Sequence, residues 1–168
     1  MSYALIIDNN GNGISSHFNP PFPRSNEVPC TEAQAQNPTA YQVVNGQIVE
    51  SLTAAKSSQI ALLRTACQSA ITGGFTSSAL GSTYSYPSGP TSQSNINSAA
   101  GNPSGGSLWC ESGGVWALKA HTQSQAQGVL ASLMAWVNSC QGQLSTLTGE
   151  VNAATTVSAV QLITWTNS

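Results

Sequence analysis

The sequence predicts an α+β protein: a small N-terminal β-hairpin module over residues 1–51, followed over residues 52–168 by a helical-hairpin domain with an inserted β-hairpin. Three observations carry this expectation. Asn45-Gly46 lies between the β-branched runs Tyr41–Val44 and Gln47–Glu50, and Asn-Gly supplies the positive φ angles of a tight hairpin turn. From Leu52 the apolar period lengthens to three and four through Lys56, Ile60, Leu63, Cys67 and Ala70. Late in the chain Ala126, Leu130, Leu133, Val137, Cys140, Leu144, Leu147 and Val151 alternate by four and three without a break.

The elements follow in order. Tyr3–Asp8 and Ile14–Phe18 flank Asn9–Gly13, a second hairpin signal. Pro20-Pro21-Phe22-Pro23 predicts an extended, unpaired segment, since proline has no amide to donate. Thr31 and Gln34 have capping-box spacing for one helical turn, which Pro38 stops. The helix after Leu52 ends at Gly73-Gly74. Residues 75–106 are rich in Ser, Gly, Pro and Asn, with a short helix predicted from Thr91 to Ala100 around Ile96. So long a sparsely structured stretch reads as a binding loop. Leu108–Cys110 and Val115–Leu118 flank Glu111–Gly114 as the inserted hairpin, and Thr155 or Thr156 caps a last short helix up to Trp165.

About thirty helical residues would run ~45 Å, longer than the ~40 Å width of a compact domain of this size, which favours an elongated shape. Two packings suit the late helix. One folds it back on the Ile60–Ala70 stripe as an intrachain hairpin. The other makes it a homo-oligomer seam, with Leu130, Val137, Leu144 and Val151 at one core position and Leu133, Cys140 and Leu147 at the other. Val129, Met134, Trp136 and Gln141 beside the stripe make the apolar face wider than a two-stranded seam, and Gly128, Gly142 and Gly149 are points where it can kink.

Of 168 residues only 6% are charged, the net charge is −2, and 40% are apolar. That leaves no basic stripe for nucleic acid and no polybasic patch for a membrane, and no apolar run approaches a membrane span. So weak a charge suits a surface that packs on other protein. The apolar run at residues 3–7 is too short for a signal-peptide core, so synthesis in a cytoplasm is expected. Cys30, Cys67, Cys110 and Cys140 form no Cys-x-x-Cys pair; Cys67 and Cys140 each lie on an apolar helical stripe, where they can face one another and form a disulfide.

Candidate chemistry is sparse. Asp8-Asn9-Asn10-Gly11-Asn12-Gly13 has the oxygen spacing that opens an EF-hand loop, but the twelfth position is Asn19 and a plain β-turn explains the same residues. His17 and His121 are not near a nucleophile motif, and Asp8, Glu27, Glu32, Glu50, Glu111 and Glu150 are scattered. No enzyme, catalytic residue, metal or cofactor is expected. Tyr84, Tyr86 and Trp109 are the candidate binding residues, since aromatic faces stack on sugar rings or anchor interfaces. For the two tyrosines a core role stands beside a binding role, and Trp116 reads first as hairpin core.

The stretch from Lys56 to Trp165 resembles a phage domain of unknown function found in tail-fibre-associated proteins. The resemblance lies in Ser57–Cys67, Ile71-Thr-Gly-Gly-Phe75 through Gly81, Tyr86-Pro87, Leu108-Trp109, Trp116-Ala-Leu118-Lys-Ala-His121-Thr122 and Val151–Val157 with Trp165. Val28-Pro-Cys-Thr-Glu32 and the hairpin after it resemble the leader of small tail-fibre assembly proteins. Here the loop after Tyr86 lacks the acidic residues often seen there, and Gly105-Gly-Ser107 replaces longer apolar text. The resemblance implies a virion structural protein, a tail or tail-fibre component made in the bacterial host cytoplasm and carried in the mature tail. Its implied partners are phage tail or fibre proteins, with a homo-oligomer and a host surface polysaccharide as further partners. A tail-fibre assembly chaperone and a receptor-binding fibre tip are the alternatives. The resemblance brings no catalytic residues.

Overall fold

Residues 2–18 and 24–166 are described by the structure, a computed structural model. The Pro20–Pro23 segment and Asn19 lie outside the described residues. The fold is α+β, and the chain divides into two compact units: Met1–Leu62 with Thr148–Thr164, and Leu63–Leu147 with Trp165–Ser168.

In the first unit β1 (Tyr3–Ile7) is the centre of a three-stranded antiparallel sheet, between β2 (Gly13–Phe18) and β3 (Glu27–Cys30). Both faces of β1 are covered, so the adjacent residues Ala4 and Leu5 are both buried. Pro29 falls on edge strand β3, where a missing amide costs no ladder bond. The Asp8 carboxylate closes the β1–β2 turn, accepting from the backbone of Asn10 and Asn12 and from the Asn12 side chain. Those bonds hold its carboxyl below the ordinary value, and they consume the oxygens an EF-hand loop would offer a cation. Buried Glu27 takes an amide from Arg24 at 3.1 Å and the His17 ring at 3.1 Å.

Helix α1 (Glu32–Gln36) has the capping box read from Thr31 and Gln34, both bonds being present. A 3₁₀ turn over Pro38–Ala40 leads to the hairpin of β4 (Tyr41–Val44) and β5 (Gln47–Glu50), closed by Asn45 and Gly46 at φ 52° and 79°. Helix α2 (Leu52–Thr72) opens with Ser51 accepting the Ala54 amide. Within this unit Lys56 reaches the Asn152 carbonyl at 2.7 Å and Gln59 that of Ile163 at 2.6 Å. Thr156 caps α5 (Val157–Gln161) through the Ala159 amide.

The second unit holds a four-stranded antiparallel sheet in the order β6 (Phe75–Ser77), β7 (Tyr84–Tyr86), β8 (Gly106–Ser112), β9 (Val115–His121). Between β7 and β8 lies α3 (Pro90–Gly101), begun by proline at its first turn. The stretch expected as loop thus contains two three-residue strands as well as the expected helix. Helix α4 (Gln123–Ala153) is a single run of 31 residues. It packs antiparallel to α2: the Cys67 thiol donates to the Cys140 carbonyl at 3.6 Å and the Trp136 indole to the Ala70 carbonyl at 3.1 Å. Ser88 donates to the Ile71 carbonyl, and Trp136 shares the Ala70 carbonyl with the Gly73 amide, so the end of α2 is closed by side chains as well as by its own backbone. The core of this unit is Phe75, Tyr86, Ile96, Ala99, Ala100, Leu108, Cys110, Ala126, Val129 and Leu133.

Candidate docking surface

The hairpin β8–β9 is a strip with two unlike faces. Its turn is only Gly113-Gly114, both at positive φ (62° and 80°), so Ser112 pairs with Val115 and the strands run longer than the sequence predicts. This register sets every facing pair: Cys110 with Ala117, Trp109 with Leu118, Glu111 with Trp116. Side chains alternate along a strand. Leu108, Cys110 and His121 therefore turn to the core, while Trp109, Trp116 and Leu118 share the other face.

On the inner face Tyr86 is fully buried, its ring stacked on Phe75 at 5.6 Å and edge-on to His121. Its hydroxyl meets His121 Nε2 at 2.9 Å, while His121 Nδ1 lies 2.9 Å from the Lys119 carbonyl. A carbonyl can only accept, so Nδ1 carries the ring proton and Nε2 accepts from the phenol. Burial pushes the Tyr86 phenol well above its ordinary value, and the Cys110 thiol beside it adds to the effect. Cys110 is itself raised, by burial first. Tyr86 is therefore a core residue, not a surface binding residue: its ring and hydroxyl are both spent inside the unit. Tyr84 is half-buried, with the Lys119 ammonium 5.4 Å from its ring centre.

On the outer face Trp109 is 55% exposed, Trp116 51% and Leu118 55%. Trp116, expected in the core, stands in water because the two-residue turn places it across from Glu111 on the outer side. No other part of the described residues brings two exposed tryptophans onto one sheet face. Beside Trp109 a shallow cleft is lined by Ser92, Asn95, Ser107 and Leu118. Period-2 alternation from Leu108 and Cys110, carried across the Gly-Gly turn, marks both His121 as inward and Trp116 as outward. That signal is in the sequence and depends only on the turn length.

The α4 stripe faces inward. Leu133, Cys140 and Val151 are buried, and Leu130, Val137, Leu144 and Leu147 are half-buried. Cys67 and Cys140 meet as two thiols, with all four cysteines free. Burial raises both thiols, so little thiolate is present near neutrality. Among the described residues no group of three or more His, Cys, Asp or Glu side chains is placed to hold a metal ion, and no helix is long and apolar enough to cross a membrane.

A family model for a domain of unknown function, DUF4376, matches residues 54–164. The chain belongs to the DUF4376 family. The matched DUF4376 region includes all but the first two residues of α2, all of α4, the four-stranded sheet and the exposed hairpin. No curated protein and no solved structure matches the chain.

Proposed function

We propose that this DUF4376 protein is a structural component of a tailed-bacteriophage tail or tail fibre and acts by docking on other protein. The observation that carries the docking reading is the outer face of β8–β9, where Trp109, Trp116 and Leu118 stand together in water. An apolar patch of this kind marks an interaction surface, and tryptophan is the residue most enriched where binding energy concentrates. The phage assignment is supported by the ordered resemblance from Lys56 to Trp165 and by the leader around Val28–Glu32. A charge content of 6% fits a part surrounded by other subunits.

Quantitative mass spectrometry of purified, washed phage particles tests this. Recovery at a fixed ratio to a known fibre protein is the expected result. Absence from particles, with infectious fibres still dependent on the protein, replaces the structural role with that of an assembly chaperone. A second reading, recognition of an uncharged host polysaccharide, is favoured by the cleft where Trp109 stands beside Ser92, Asn95 and Ser107. Trp109→Ala should then lower adsorption while leaving particle assembly unchanged, and unchanged adsorption removes this reading.

A further inference from the structure

We infer that β9 is the seam of a two-fold dimer, pairing antiparallel about Leu118 with β9 of a second copy of this chain. The inference rests on reading the β8–β9 hairpin as a docking surface and names the occupant of its open edge.

The backbone supplies the first argument. In a two-residue hairpin the closing pair, here Ser112 and Val115, exchanges both of its hydrogen bonds, and the pattern then alternates along the ladder. Val115, Ala117, Lys119 and His121 thus turn their amides and carbonyls toward β8. Trp116, Leu118 and Ala120 turn theirs to the open side, because β9 is the last strand of the sheet. Among the described residues no backbone bond outside the β8–β9 ladder reaches these three.

The strand is also complementary to itself. Antiparallel pairing about Leu118 sets Leu118 opposite Leu118 and Trp116 opposite Ala120, so a large side chain faces a small one on the exposed face. All of these residues present their free polar groups outward, so each facing pair can exchange both of its bonds. Lys119 is the strand's only charged residue. In this register it falls opposite Ala117, so no like charges meet.

Protein edges are normally blunted, and the other edges here show how. Edge strand β6 has three residues, and β3 carries Pro29. β9 runs seven residues in regular register with neither a proline nor a bulge, and its one charged side chain, Lys119, is drawn to the inner side over the Tyr84 ring.

Light scattering and sedimentation of the full chain at micromolar concentration should give twice 17.3 kDa. Leu118→Glu sets two carboxylates face to face on the axis and should raise the dimer dissociation constant by about a hundredfold or more. Ala120→Trp should do the same by bulk alone. Both side chains are exposed in the single chain, so thermal unfolding of the diluted variants should match the native protein. A native chain that stays at 17.3 kDa up to hundreds of micromolar overturns the inference. So does a trimer, or a dimer that both variants leave intact. These outcomes are read on the purified chain, so they stand apart from the particle measurement that tests docking in the virion.

Discussion

The two faces of β8–β9 are made from the same strands, yet they obey opposite rules. Inward, Leu108, Cys110 and His121 are buried, and each polar atom of the Tyr86–His121 pair has a partner. Outward, Trp109, Trp116 and Leu118 expose about half their surface. Hydrophobicity alone does not tell these faces apart, since the outer one carries the larger apolar side chains. What separates them is parity, set by the two-glycine turn. The difference teaches that the outer face is not left-over core: its large apolar side chains stand half in water.

Substitution on each face should break the symmetry sharply. Leu108→Ala removes a buried side chain next to Ile96 and Ala99 in the same core cluster and should cost about 2–5 kcal/mol in urea unfolding. Tyr86→Phe keeps the ring but leaves His121 Nε2 buried without a donor; a loss of about 1–3 kcal/mol is expected. Nitrogen-detected NMR of His121 should show the Nδ1–H tautomer in the native protein. Alkaline pH should act on the inner face as well. The buried thiols and the Tyr86 phenol have raised values in the folded chain. Their contribution is complete below the unfolded values, ~8.5 for cysteine and ~10 for tyrosine, and drains away as pH climbs toward the folded ones. Stability measured against pH should therefore fall above the cysteine value and further above the tyrosine value, where Tyr3 is raised as well as Tyr86, and Tyr86→Phe should lessen the second fall. Trp109→Ala, outward and half in water, should change stability by less than about 0.5 kcal/mol. A larger loss would mean that the outer face supports the fold.

Much of the architecture is legible where local chemistry and tertiary structure agree. Asn45-Gly46 makes the turn it predicts, Thr31 and Gln34 make both bonds of their box, and the four-three spacing from Ala126 to Val151 lies within one helix. Strands β6 and β7 escape because three residues are too few to show an alternation, and Gly, Ser and Pro around them read as loop. β3 hides behind Pro29, which forbids a central strand and permits an edge. At the site, Trp109, a candidate binding residue from the sequence, is exposed, Tyr86 takes the core role of the two read for it, and Trp116 goes outward against expectation. Nothing local to either residue decides burial: Tyr86 goes inward because Phe75 and His121 close around it, and Trp116 goes outward because the turn is two residues long.

The division of the chain into Met1–Leu62 with Thr148–Thr164, and Leu63–Leu147 with Trp165–Ser168, has a consequence in time. The first unit is not contiguous in sequence, so a ribosome finishes its opening segment long before it makes the residues that complete it. At about 5–20 residues per second, that segment waits roughly 5–20 s for α5 to emerge. The stretch that forms most of the second unit is made in one pass during the wait. Stalling translation after Leu147 would therefore strand the N-terminal sheet without the unit's final helix, although all its strands had been made first.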